Sequence, residues 1–212
     1  MPGSELRERL ARSRLYLVLE ARPRGEDPRA LLEAALRGGA DVVQLREKQL
    51  DDEALVAAAD PFRSACAEHG ALFVLNDRPD LVEACGADGV HVGRTDAAVE
   101  EARDLVGPDR LLGLSVSTAD ELRDVGGSDY VGVTAFATPT KDDAVAGGLD
   151  LLRAAAGSLT VPWFAIGGVD LSNVGAVCAA GAPGVAVVRA VRDADDPENA
   201  ARTLRRALDR QQ

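Results

Sequence analysis

Histidine occurs only twice, as His69 and His91, which excludes a His-rich metal site and leaves any histidine acid-base role to those two residues. Cys66, Cys85 and Cys178 are odd in number, widely spaced and form no CxxC pair, and the one histidine close to a cysteine, His69 three residues after Cys66, has no second pair to complete a zinc motif. Set among Ala, Val and Gly, they read as small core residues. No window approaches the roughly 18 apolar residues of a membrane span. The opening Met1-Pro-Gly-Ser-Glu-Leu-Arg-Glu-Arg is too charged for the apolar part of a secretory signal, so a cytoplasmic location is expected. Positive charge is also in deficit. Against 35 acidic residues stand 24 basic ones, and the formal charge of −11 disfavours unspecific binding to nucleic acid or anionic lipid. An anionic ligand must therefore meet a local basic cluster.

What the chain does contain is 46% hydrophobic and 28% charged residues, the balance of an ordinary globular protein, and its 212 residues suit one domain spanning 1–212. Short β-branched runs alternate with alanine-rich amphipathic segments, the pattern of parallel strands joined by crossover helices. Strands are expected at 15–19, 41–45, 72–75, 89–92, 111–114, 130–133, 163–166 and 185–188. Helices are expected at 28–37, 52–69, 80–85, 97–105, 118–124, 149–156, 173–180 and 197–209. Gly38-Gly-Ala-Asp-Val-Val, Gly86-Ala-Asp-Gly-Val, Gly127-Ser-Asp-Tyr-Val and Gly181-Ala-Pro-Gly-Val each lead into a strand, and each glycine is suited to the left-handed turn that ends a helix. Eight βα units of about 26 residues predict a small (β/α)8 TIM barrel. An open doubly wound sheet is the alternative, but no GxGxxG follows the first strand.

In such a barrel the chemistry lies at the C-terminal strand ends. Strand two runs into Gln44-Leu-Arg-Glu-Lys48, where alternation places Gln44, Arg46 and Lys48 on one face as an anion clamp. Strand three ends in Asn76 and Asp77, with Asp80 placed to cap the next helix. Strand four leads to Asp96, which reads either as another cap or, with Asp77, as a carboxylate pair for Mg2+ shared with a substrate diphosphate. Ser115 closes strand five. The stretch 134–148 is the longest without a period and reads as a lid or ligand loop; its Thr138-Pro-Thr-Lys141 suits phosphate oxygens. Ile166-Gly-Gly-Val169 and Val187-Val188-Arg189 end the last two strands, the usual phosphate region of these barrels, although Gly167 and Gly168 also fit a simple tight turn.

Taken in order, these segments, with Gly89-Val-His-Val-Gly93, Gly113-Leu-Ser115, Asp129-Tyr-Val-Gly132 and Gly184-Val-Ala-Val-Val188, resemble the thiamine-phosphate synthase family from Tyr16 to about Arg202. The resemblance implies a TIM barrel transferase that joins hydroxymethylpyrimidine diphosphate to a thiazole phosphate and releases diphosphate. By its pattern Gln44, Arg46, Lys48, Asn76, Ser115 and Lys141 contact the pyrimidine diphosphate, and Arg46, Lys48 and Lys141 carry the charge neutralisation. Asp77 and Asp96 hold Mg2+. Thr138, Thr140 and Gly168 serve the thiazole phosphate, joined by Val188 and Arg189 after strand eight. Arg189 stands where the family usually has Ser. A related thiazole tautomerase, an isomerase on the same barrel, is one alternative, although Ser117 replaces the His on which its pattern relies, and a non-catalytic barrel that binds phosphorylated ligands is another.

Overall fold

The computed structural model describes residues 3–94, 98–136 and 147–210. Eight parallel strands close into a barrel in sequence order: β1 Leu15–Leu19, β2 Val42–Leu45, β3 Leu72–Asn76, β4 Gly89–Val92, β5 Leu111–Val116, β6 Tyr130–Thr134, β7 Trp163–Ile166 and β8 Val185–Val187. Strand β1 pairs with both β2 and β8, which completes the ring. Around it, among the described residues, lie α1 Gly3–Arg12, α2 Arg29–Arg37, α3 Asp52–His69, α4 Val82–Cys85, α5 Val99–Val106, α6 Gly148–Ser158, α7 Val174–Ala179, α8 Arg189–Arg192 and α9 Pro197–Asp209. The barrel is the architecture expected from the repeat of short apolar runs.

The period of two sorts each strand into two faces. Leu17, Val43, Phe73, Leu75, Leu112, Val131 and Ala165 face the helices in the larger core, where Phe62 of α3 stacks on Phe73. Tyr16, Val18, Val42, Leu72, Val74, Leu111, Tyr130, Phe164 and Ala186 fill the barrel, and Leu6 and Leu10 of α1 close its N-terminal end. The sequence pattern had not suggested α1, because its apolar stripe is only those two buried leucines beside one buried glycine.

The recurrent Gly-x-Asp segments have a structural cause. Asp41 Oδ2 accepts from Arg14 N at 2.7 Å and Leu15 N at 3.0 Å, Asp88 Oδ2 from Phe73 N at 2.9 Å, and Asp129 Oδ2 from Leu112 N at 2.9 Å. Each aspartate before an even strand satisfies the first backbone donors of the odd strand beside it. Pro183 stands in the fourth copy. Gly86, Gly127 and Gly181 have φ of +64°, +80° and +97°, as left-handed turns require, but in the first copy Gly39 takes this role at +101°. Gly38 is helical and close-packed, since a Cβ there would lie 2.6 Å from Ala201 Cβ.

Two expected helices differ. Residues 118–124 form only a single 3-10 turn, Glu121–Arg123, with Leu122 its one buried apolar residue. Glu121 folds back to accept from Ser117 N at 2.6 Å and Thr118 N at 3.2 Å, which closes the turn locally. Residues 79–85 split into a 3-10 turn, Pro79–Leu81, and α4. Asp80 is not an N-cap; its carboxylate instead takes Arg78 Nε at 3.0 Å and Nη2 at 2.7 Å. Helix α3 starts with the Asp51 side chain accepting from Ala54 N and ends at a left-handed Gly70. All three cysteines are buried thiols, and burial pushes Cys66 up to about 12, far from a reactive thiolate.

Candidate active site

The inward-facing set of each strand becomes polar at its C-terminal end. Above Val42 on β2 stands Gln44, 4% exposed; above Val74 on β3 stands Asn76, 5% exposed. Ser115 on β5 and Thr134 on β6 occupy the same layer of strand ends, since β5 and β6 reach one or two residues further than the apolar runs alone indicated. His91 on β4, which pairs in register with Asn76 and Gly113, lies among them.

Most of these polar groups satisfy one another. Gln44 Nε2 donates to the Tyr16 hydroxyl at 2.9 Å, and Tyr16 lies 3.0 Å from the Tyr130 hydroxyl. His91 Nδ1 is 3.3 Å from the Tyr130 hydroxyl, and its Nε2 is 2.9 Å from Ser115 Oγ. Ser117 Oγ and Thr134 Oγ1 are 3.0 Å apart. Asn76 is the exception: its buried Nδ2 has no hydrogen-bond partner among the described residues. A buried donor left this way costs about 1–3 kcal/mol, so its retention points to a ligand acceptor.

Cations and anions meet at the rim beside it. The backbone of Arg46 continues the β1 ladder by donating to Leu19 O at 2.8 Å, and its half-buried guanidinium has no hydrogen bond or ion pair among the described residues. Lys48 is exposed and its Nζ lies 3.3 Å from Asp77 Oδ2. Asp77 has φ +60°, a left-handed conformation that aspartate tolerates at a cost of order 1–3 kcal/mol, while its N–H donates to His91 O at 2.9 Å. Backbone strain at a strand end is a feature of functional sites, and here it holds a carboxylate over the barrel mouth.

Across the mouth Gly167 and Gly168 follow β7 with φ of +94° and +62°. A Cβ on Gly167 would lie 2.6 Å from Phe136 O, so only glycine permits this approach of the β6 and β7 loops, and Phe136 N donates to Gly167 O at 3.2 Å. Gly168 is exposed, its carbonyl held by Asn173 Nδ2 at 2.8 Å. Val188 is not the last residue of β8; with φ −119° and ψ −84° it turns the chain into α8. Arg189 is exposed at the first turn of that helix. The nearby Asp193 carboxylate is taken by Arg192 at 2.7 Å rather than by Arg189.

The structure thus brings Gln44, Asn76, Asp77, Lys48 and Ser115 to neighbouring strand ends, with Gly168, Val188 and Arg189 at the ends of β7 and β8. Asp96, Thr138, Thr140 and Lys141 lie outside the described residues. No cluster of three or more His, Cys, Asp or Glu that suits a metal occurs among the described residues. Tyr16 and Tyr130 carry no signal in the sequence, and His91 is marked there only as one of the two histidines open to an acid-base role. The two tyrosines sit in strands that read as plain apolar runs, and only the even-residue alternation that turns them inward marks them.

The Thiamine monophosphate synthase family model matches residues 15–191. The chain is 44% identical to the thiamine-phosphate synthase of Thermobifida fusca, over 96% of this chain and 95% of that one. It is equally 44% identical to the thiamine-phosphate synthase of a Nostoc species over 92% of its own length, but spans only 56% of that longer relative. Among solved structures, a thiamine phosphate pyrophosphorylase from Pyrococcus furiosus superimposes with a TM-score of 0.86 at 33% identity, over 97% of this chain and 98% of that one. A 3-hexulose-6-phosphate synthase shares the fold, with a TM-score of 0.64 at 21% identity.

Proposed function

The chain belongs to the thiamine monophosphate synthase family, and from that membership we propose that it joins hydroxymethylpyrimidine diphosphate to hydroxyethylthiazole phosphate, releasing diphosphate. The observation that carries the reading is the buried, unpartnered Asn76 Nδ2 beside Gln44 at the barrel mouth. An aminopyrimidine presents ring nitrogens as acceptors and an amino group as donor, and a pair of neighbouring amides matches both.

The reaction breaks the bond between the pyrimidine methylene carbon and the diphosphate oxygen and forms a bond from that carbon to the thiazole nitrogen. The electron pair leaves with diphosphate, so the barrier falls when its growing charge is met by fixed cations. Arg46 and Lys48 at the end of β2, with Lys141, supply this neutralisation. Asp77, together with Asp96, presents the hard carboxylate oxygens that suit Mg2+, which when bound offsets further diphosphate charge. Asp77 fits that role in one respect, since its left-handed backbone holds a hard carboxylate directly at the C-terminal end of β3. Thr138, Thr140, Gly168, Val188 and Arg189 hold the thiazole phosphate, with the exposed backbone of Gly168 accessible to it. The thiazole nitrogen carries no proton to remove, so the site needs no general base.

Diphosphate release measured with both substrates and Mg2+ tests the reading. Turnover that requires both substrates supports it; binding of either without release of diphosphate overturns it in favour of a binding barrel.

A further inference from the structure

Five side chains run through the barrel interior in one hydrogen-bonded line: Gln44, Tyr16, Tyr130, His91 and Ser115, with successive separations of 2.9, 3.0, 3.3 and 2.9 Å. Each phenol has one proton to give. Gln44 donates its amide N–H to Tyr16, so the Tyr16 proton goes to Tyr130 and the Tyr130 proton goes to His91 Nδ1. The imidazole proton is then on Nε2, donated to Ser115 Oγ, and the serine keeps its own O–H to offer outward. Burial drives both phenols well above their ordinary pKa, so they remain protonated and the line keeps its direction.

The backbone is shaped to allow this line. A Cβ on Gly113 would lie 2.1 Å from Tyr130 Cζ and 2.5 Å from His91 Nδ1, so the phenol reaches the imidazole only because residue 113 has no side chain. Phe164 walls the other side, edge-on to Tyr16 and Tyr130 at 5.3 and 6.1 Å.

We propose that Tyr16, Tyr130 and His91 are positioning residues: a one-way hydrogen-bond chain that fixes Gln44 at one end and presents Ser115 as a hydroxyl donor at the other, for the pyrimidine diphosphate. The assignment of the substrate rests on the function proposed above; the direction of the chain does not. Two arms test them separately. In 15N-labelled His69→Gln protein His91 is the sole histidine, and long-range 15N–1H spectra without substrate at about pH 8, above the ordinary histidine range, should show protonated Nε2 and bare Nδ1. Adding Tyr130→Phe should mix the two tautomers. Protonated Nδ1 in the parent overturns the chain whatever the enzyme does.

In the kinetic arm, Tyr16→Phe and Tyr130→Phe should each raise KM for the pyrimidine diphosphate about 10-fold, the worth of one good hydrogen bond, with KM for the thiazole phosphate held within about twofold. Ser115→Ala on top of Tyr130→Phe should add little, since both act through one line. Equal changes in both KM values, or full additivity, overturn the positioning role. A parent protein that releases no diphosphate overturns the proposed reaction, and the spectra then still decide the chain.

Discussion

The Lys48 ammonium and the Asp77 carboxylate face each other at 3.3 Å across the ends of β2 and β3. The lysine side chain is 51% exposed and the aspartate 18%, so the anion is fixed and the cation reaches in from solvent. Such a pair is worth less than about 1 kcal/mol. Its members are therefore readily re-partnered, the lysine to a phosphate oxygen and the aspartate to a divalent cation, without a large stability cost.

Asp77→Asn is expected to lower turnover by about 100-fold or more at saturating Mg2+, because the neutral amide is a poor ligand and the leaving charge is then incompletely offset. Stability should be kept, since asparagine tolerates φ +60° as well as aspartate does and retains the N–H bond to His91 O. Diphosphate-release kinetics with urea unfolding of the same variant check both halves. Near-normal turnover would remove Asp77 from the metal site.

Arg46→Ala is expected to weaken the pyrimidine diphosphate about 100-fold while leaving thiazole phosphate affinity within a few-fold, because the diphosphate loses the charge-assisted contacts that the half-buried guanidinium is proposed to give it. Arg46→Lys should restore only part of this, since a point charge lacks the planar fork. Calorimetric titration of each ligand separates the cases, and equal loss for both ligands would contradict the assignment.

The barrel was legible because every strand carries its own apolar run and every even strand but β8 is preceded by Gly-x-Asp. The proposed clamp rests on a related pattern: alternation puts an amide and two cations, Gln44, Arg46 and Lys48, on one face at the end of β2 where apolar residues would otherwise stand. The line through Tyr16, Tyr130 and His91 was not legible, because an aromatic or a lone histidine in a buried strand looks like packing until its partners are known. Helix α1 carries too few apolar residues to stand out in the sequence, and the stretch 118–124 has too few buried anchors to form the helix expected there. Positive φ at Asp77 has no sequence signature, since aspartate is common at ordinary strand ends.

Arg189→Ser is expected to raise KM for the thiazole phosphate several-fold with a smaller change in turnover, because that phosphate is remote from the reacting carbon and is held alike in ground and transition states. The exposed Arg189 begins α8 directly after the Val188 turn, and Arg192 rather than Arg189 occupies Asp193. Steady-state kinetics with the thiazole phosphate varied check it. An unchanged KM would place Arg189 outside the site, and faster turnover would mean that it obstructs the mouth.

Asp88 supplies a prediction about pH. Its half-buried carboxylate accepts Phe73 N–H at 2.9 Å, yet its pKa is raised, because desolvation outweighs that hydrogen bond and the more distant Arg9 and Arg110. A carboxyl that holds its proton more tightly in the folded chain binds more protons there than when unfolded. Stability therefore falls as pH rises from the unfolded pKa through the folded one, and stays reduced above it. Asp88→Asn removes the charge while its amide oxygen can still accept the Phe73 N–H, so the variant should lose this part of the pH dependence and be at least as stable as the parent at pH 7. Below the unfolded carboxyl range the advantage should vanish, because the parent is then neutral too. Urea unfolding of both proteins from about pH 3.5 to 7 measures it. An Asp88→Asn protein less stable at pH 7 than at acid pH, relative to the parent, would show that the charged hydrogen bond to β3 outweighs the desolvation of the carboxylate.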